Sequence, residues 1–339
     1  MPKDRADRDD RASKREKGLS IRLFDADRTD RALTFEAAMK ARVSSRQILW
    51  IDVEGDLQEE HLRAMVERFG FDAETERALA KRSSKPHIQL HGKHFHLCVA
   101  AEPDAVRPQD LRWLDILAGP NVVITVHPQP LAFVEAMDER IATDARIGEL
   151  DSAEFVASVL ETIVTSYHAA IDRLEDELDD IDTRALAQPK TADLFGALVS
   201  NRQRVGRLRR LLAAHRAVFS AIEGPDFARG IASADAQVFV PVSDHFDAAL
   251  LSIESTRDAT LGSFDILMTR TAQRTNDVMK VLTVATVMFL PATVTAGFLG
   301  MNVIVPVSED DPASFWIILG FVLVFEVVVV VIARWRGWL

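Results

Sequence analysis

Toward the C-terminal end of the chain Asn276, Met279, Leu282, Thr286, Leu290, Thr293 and Gly297 advance in steps of three or four, a spacing that places them on one face of a helix. Much of that helix is apolar. A stripe of polar and small residues in hydrocarbon has to meet other helices or a water-filled path, so several copies around an axis would build a pore. The competing reading is that Thr286 and Thr293 donate back to carbonyls one turn earlier. A second group is His87, His91, His94 and His96 within "HIQLHGKHFH". His94 and His96, two apart on a strand, share a face and could put two imidazoles on one metal ion. Packed core histidines are the preferred reading there, because no cysteine or acidic residue completes a four-ligand set at a standard spacing. A third residue is Glu326, inside an otherwise apolar run, where an ionisable group costs at least about 2.5 kcal/mol. It is expected to face another helix or the cytoplasmic interface, held protonated or hydrogen-bonded, with a role in proton coupling as the hypothesis.

The elements that position these residues follow from pattern. Residues 281–299 and 315–333 are nearly uncharged runs close to the roughly 20 residues a bilayer-spanning helix needs, which predicts two membrane spans. Upstream, "LSIRLFD", "ILWIDVEG", "HIQLHGKHFHLCVA", "LRWLDILAG" and "NVVITVHP" read as strands, and residues 57–69 and 73–82 as helices, with a hairpin near Gly92. From about Asp151 the spacing becomes helical as far as Ala187, breaks at Gln188-Pro189, and resumes from Ala192 to about Ile222. Acids on the first arm (Asp172, Glu175, Asp176, Glu177, Asp179, Asp180, Asp182) and arginines on the second (Arg202, Arg204, Arg207, Arg209, Arg210) predict an antiparallel pair. From Val242 no strong breaker occurs until Pro291, so one helix of roughly 80 Å runs into the first span.

The expected fold class is an α+β cytoplasmic domain followed by a long helical hairpin and a stalk helix, with two transmembrane α-helices. The expected divisions are a disordered charged leader at 1–18, the α/β domain at 19–135, the hairpin region at 136–241 and the stalk with the first span at 242–299. A loop at 300–314, the second span at 315–333 and a basic cytoplasmic tail at 334–339 complete the chain.

A net charge of -11 argues against a nucleic-acid binder, which presents a basic face to phosphates, and suits the handling of cations. The single cysteine, Cys98, forms no internal disulfide, and the polar N-terminus has no apolar core of a cleaved signal. Arg270, Arg274 and Lys280 precede the first span and Arg334 and Arg336 follow the second, whereas the loop between carries Glu309, Asp310 and Asp311. That asymmetry predicts a multi-pass protein of the cell (inner) membrane with both termini cytoplasmic, and Trp316, Trp335 and Trp338 fall where interfacial aromatics belong. No nucleophile and base constellation or nucleotide-binding motif is present, so an enzyme is not expected.

Gly300-Met301-Asn302, closing a span that reads "MKVLTVATVMFLPATVTAGFLGMN" and followed by one more span and a short basic tail, resembles the CorA family of divalent-cation channels. The resemblance extends to the soluble part in layout. It implies a homopentameric funnel in the lipid bilayer with five stalks around the pore, a selectivity element at Gly300, Met301 and Asn302, and pore-lining positions on the stripe described above. It also implies cytoplasmic regulatory Mg²⁺ bound between subunits, for which Asp244, Asp247, Glu254, Asp258 and Asp265 are the candidate suppliers. No cofactor is implied beyond the transported or regulatory divalent cation, Mg²⁺ first, with Co²⁺ or Ni²⁺ as passengers. Leu299 replaces the aromatic residue that often precedes the motif, and "VIVPVSEDDPASF" lacks the family's Met-Pro-Glu-Leu loop and resembles loops of the ZntB-like branch. That branch implies a proton-coupled Zn²⁺ transporter as the alternative; a membrane-anchored coiled-coil scaffold is the alternative without transport. Glu309, Asp310 and Asp311 would concentrate cations at the mouth.

Overall fold

In this computed structural model the described residues are 18–27, 30–56, 58–81, 84–92, 94–103, 111–134, 151–187, 192–224, 227, 236–301 and 312–338. The charged leader, apart from Gly18, and the loop after Met301 lie outside them. The chain divides into two compact units, one formed by residues 1–180 with 197–261 and the other by 181–196 with 262–339.

The first unit is built on a seven-stranded mixed sheet. Its strands are β1 (Leu19–Asp25), β2 (Arg31–Ala32), β3 (Gln47–Glu54), β4 (His87–His91), β5 (His94–Glu102), β6 (Arg112–Gly119) and β7 (Val122–His127), in the order β2-β1-β3-β7-β6-β5-β4. β3 and β7 run parallel and every other pair antiparallel. Alternate residues of one strand serve opposite faces. Ile48 and Trp50 of β3 join a core with Phe95, Leu97, Ile116, Phe155 and Tyr167, whereas Leu49, Ile51 and Val53 join another with Leu117, Ile124, Leu62 and Met65. Covering both faces explains why β3 and β7, between their ends, are apolar on both sides apart from the buried Asp52 and Thr125, instead of alternating apolar with exposed polar residues. Each fully buried Leu, Ile or Phe contributes roughly 1.5–3 kcal/mol, so the two layers dominate the stability of the unit.

On one face lie short helices, α1 (Phe35–Lys40), α2 (Glu59–Phe69) and α3 (Ala73–Lys81); the other is covered by α4 (Ser152–Ala187), α5 (Ala192–Ile222) and the start of α6 (Val240–Leu299). Neither β2 nor α1 is anticipated by pattern. A two-residue strand and a six-residue helix are too short for a period to register, although Thr34 accepts from the Ala37 N–H at 3.4 Å as an N-cap. Gly18 opens β1 at φ 82°, where a Cβ would come within 2.3 Å of the Glu54 carbonyl oxygen, so only glycine lets β1 start beside the end of β3.

α4 and α5 pair as the charge pattern predicts, but charge is the smaller part. Arg204 donates to Glu177 Oε1 at 2.6 Å, a largely exposed pair worth under about 1 kcal/mol. Leu174, Leu178, Leu198 and Val205 are buried along the same arms. Arg209 turns elsewhere and donates to Glu254 of α6 at 2.8 Å, so the opposite charges do not all pair within the hairpin.

In the second unit, α6 continues without interruption through Pro291 to Leu299, and α7 spans Pro312–Trp335. At 1.5 Å per residue α6 is roughly 90 Å long and α7 roughly 36 Å, enough to cross a hydrocarbon core of about 30 Å. Both carry a window long and apolar enough for a membrane span, and almost none of either window is covered by the rest of the chain. Phe289 is 70% exposed and Phe321 74%, which in water would be untenable for so many neighbours at once.

Candidate ion pathway and metal-ligating clusters

α6 carries the whole stripe, and every member of it, from Asn276 through Met279, Leu282, Thr286, Leu290 and Thr293 to Gly297, is at least partly exposed on the single chain. Thr286 donates to the Leu282 carbonyl and Thr293 to the Phe289 carbonyl, each at 2.8 Å. The back-bonding that competes with a pore reading is therefore present, and it has a chemical consequence. A hydroxyl has one proton and two lone pairs; once the proton is spent on the helix, the oxygen is left as an acceptor. An outward-facing acceptor is what a hydrated cation requires.

α6 ends one residue before the motif. Gly300 N–H donates to the Ala296 carbonyl at 3.0 Å and Met301 N–H to the Phe298 carbonyl at 3.3 Å, closing the last turn. A Cβ on Gly300 would stand 3.3 Å from that Ala296 oxygen, so glycine permits the close return of the chain. Asn302 and the acidic residues Glu309, Asp310 and Asp311 lie outside the described residues. Glu326 sits half-buried on α7.

The five acids nominated as regulatory, Asp244, Asp247, Glu254, Asp258 and Asp265, are all exposed along α6. Glu254 is engaged by Arg209, and Asp258 accepts from Arg257 at 2.9 Å. None belongs to either group of three ligand side chains that the described residues bring together.

Those two groups lie on the sheet, and they change the reading of the histidines. β4 and β5 form the hairpin expected near Gly92, which sits in the turn at φ 60°, with His91 opposite His94. His94 and His96 do share a face, yet each joins a different group. His91, His94 and Asp72 form one; His87, His96 and Asp115 form the other; in each, ligand atoms lie within 4.8 Å of one another. The acids absent at sequence spacing come from elsewhere in the fold: Asp115 from β6, two strands from His87, and Asp72 from the residue that caps α3, where its Oδ1 accepts from the Thr75 N–H at 2.8 Å. Register is the signal that exposes Asp115, since it pairs with Cys98, which in turn pairs with His87.

In the first group His91 Nδ1 meets Asp72 Oδ2 at 2.6 Å, and the His91 and His94 rings stack 5.1 Å apart. His94 Nε2 lies 3.2 Å from Thr75 Oγ1. Burial, then the neighbouring His91, pushes the His94 imidazole toward its neutral form. Burial alone would raise the Asp72 carboxyl, but the hydrogen bonds from Thr75 and the two imidazoles outweigh it and hold the acid below its ordinary range. In the second group His96 Nε2 meets Asp115 Oδ1 at 2.9 Å, His87 packs edge-on to His96 at 4.9 Å, and His87 Nδ1 lies 3.1 Å from the Lys85 carbonyl. Burial, with Asp115 beside it, pushes the Cys98 thiol far up, so it stays protonated.

Two further polar sites hold the sheet. His215 of α5 accepts the Ala100 N–H on Nε2 at 2.9 Å, and Tyr167 of α4 donates to the Ala100 carbonyl at 2.5 Å. β4 stops opposite Cys98, so these side chains replace the missing ladder partner. On β7, Thr125 bonds both Trp50 and Asp52, and Asp52 accepts from His127.

Comparison with known proteins agrees with this architecture. The family model described as CorA-like Mg2+ transporter protein matches residues 45–334. The cobalt/magnesium transport protein CorA of Thermotoga maritima is 28% identical over 214 residues, 59% of this chain and 57% of that one, so the chain matches little more than half of that relative's length. CorA of Methanocaldococcus jannaschii is 21% identical over 86% of this chain and 92% of its own. The solved structure of the M. jannaschii CorA magnesium transporter superposes with a TM-score of 0.71 at 20% identity, covering 95% of this chain and 98% of that one. The cytoplasmic domain of ZntB from Vibrio parahaemolyticus gives 0.59 at 13% identity, over 76% of this chain and 99% of its own. With the family model spanning the sheet from β3 to β7, the hairpin and both apolar helices, the chain belongs to the CorA-like Mg2+ transporter family.

Proposed function

We propose that the protein is a membrane transporter that passes divalent cations, Mg²⁺ first, into the cytoplasm through a homopentameric pore lined by α6. The observation that carries this reading is the stripe from Asn276 to Gly297, open to the surroundings at every member, with Thr286 and Thr293 already bonded to their own helix and their oxygens left as acceptors. Family membership and the likeness to CorA support it.

Mg²⁺ sheds water reluctantly, so neutral acceptors that bond its hydration shell suit it better than a carboxylate cage. Gly300, Met301 and Asn302 would present such acceptors at the outer mouth, with Asn302 amides of five copies around the axis. Met279 and Leu282 would form apolar constrictions that close by dewetting. Both termini face the cytoplasm in this arrangement, and an inside-negative potential drives a doubly charged ion with about 4.6 kcal/mol per 100 mV. Asp244, Asp247, Glu254, Asp258 and Asp265 would supply regulatory cation contacts between copies, and Glu309, Asp310 and Asp311 would gather cations at the mouth.

Flux into proteoliposomes tests the reading. Mg²⁺ uptake that follows membrane potential without a pH gradient supports it. Zn²⁺ uptake that requires a proton gradient would replace it with the ZntB-like mechanism, and no uptake of any divalent cation would leave a scaffold.

A further inference from the structure

We propose that the histidine-bearing corner of the α/β domain binds a borderline transition metal of the Zn²⁺ class, with His87, His96 and Asp115 as one set of ligands and Asp72, His91 and His94 as a second. The donor chemistry selects the ion. Imidazole with carboxylate suits Zn²⁺ and its neighbours, whereas Mg²⁺ takes oxygen alone, so these sets are chemically distinct from the pore.

An unpartnered nitrogen in each set is the independent observation. His96 is fully buried and His91 nearly so, and His96 Nδ1 and His91 Nε2 have no hydrogen-bond partner among the described residues. The opposite nitrogen of each ring bonds an aspartate, at 2.9 Å for His96 and 2.6 Å for His91. Within each set the ligand atoms are the carboxylate and the imidazole nitrogen that faces it, and the second, buried and unsatisfied nitrogen marks a ring whose hydrogen bonding the fold alone does not complete. His87 has its Nδ1 on the Lys85 carbonyl, which leaves Nε2 as its ligand atom. Ligand atoms around tetrahedral Zn²⁺ stand about 3.4 Å apart for bonds of about 2.1 Å. The spread of up to 4.8 Å here closes by side-chain rotation, with water completing each shell. β4 is the edge of the sheet, His87 is half-buried and the Asp72 side chain is 43% exposed, so an ion reaches the corner from solvent.

The test uses the full-length protein in detergent, stripped of metal and titrated with Zn²⁺ against a chromophoric chelator in millimolar Mg²⁺, which occupies all-oxygen sites. The expected result is two Zn²⁺ per chain, and intense visible d–d bands when Co²⁺ is substituted. His87→Gln and His91→Gln, chosen near the sheet edge so that folding survives, each weaken one equivalent by at least about 100-fold, and the double variant loses both. Unchanged Zn²⁺ affinity in the double variant, or no Zn²⁺ retained by the parent protein, overturns the proposal. Potential-driven Mg²⁺ uptake by these variants stays at the parent level, so the ion-pathway reading stands or falls separately.

Discussion

His215 makes acid lability of the sheet predictable in sign and size. Its Nδ1–H donates to the Leu211 carbonyl at 2.7 Å and its Nε2 accepts from the Ala100 N–H at 2.9 Å, so both nitrogens are committed to the neutral ring. Burial pushes its pKa down from 6.5 to about 4. In the unfolded chain the ring protonates near pH 6.5, before the folded one does, so the unfolded state binds more protons between the two values and stability falls as pH falls. The contribution is intact above about pH 6.5 and declines by about 1.4 kcal/mol per pH unit down to the folded pKa. Below that it levels off after a total loss of about 3 kcal/mol. His215→Gln keeps an acceptor near the Nε2 position and removes the titration. Urea unfolding of the full chain in detergent, followed by tryptophan fluorescence, reads the effect, since Trp113 stacks on His215 at 6.0 Å. With a urea slope of roughly 3 kcal/mol/M, the midpoint of the parent should fall about 1 M relative to the variant between about pH 7 and pH 4. A parent-to-variant difference that stays constant across that range would refute the reasoning, whatever the variant's stability at neutral pH.

His127 has the opposite sign: burial opposes its charge, but the hydrogen bond to and the charge of Asp52 raise its pKa, so its contribution is full below pH 6.5 and is lost as pH rises through the folded value. His127→Gln should therefore cost more at about pH 6 than at about pH 9, measured as the difference in urea midpoints. Tyr167→Phe leaves the buried Ala100 carbonyl without its donor and should cost about 1–3 kcal/mol in unfolding free energy, with the fold retained by circular dichroism. Thr286→Val keeps shape while deleting the outward oxygen, and initial Mg²⁺ flux in proteoliposomes should drop about tenfold at unchanged oligomer size.

Long, strongly patterned elements are legible in the amino-acid sequence. The first arm of the hairpin ends at Ala187, Ala192 and Ile222 bound its second arm, and the period from Val242 onward carries a helix through Pro291. Pro291 is harmless because a span's neighbours re-satisfy the freed carbonyl. Short elements are not legible, as β2 and α1 illustrate, because a period needs more residues than they have. The histidine corner is half legible. Four histidines in ten residues are conspicuous, but Asp72 and Asp115 reach them through a helix cap and a strand register, relations that sequence spacing does not encode. Arg209 illustrates the same point for charge, pairing with Glu254 on α6 in place of an acid on α4.

Aqueous access along α6 tests the central claim most directly, and the chain is suited to it because its native thiol, Cys98, is buried. A membrane-impermeant cationic thiol reagent applied to proteoliposomes should block Mg²⁺ flux through Leu290→Cys, on the stripe, and leave Phe289→Cys, one residue round the helix, conducting. Block at Phe289→Cys with Leu290→Cys unaffected, or equal sensitivity at both, would contradict a pore lined by the face from Asn276 to Gly297.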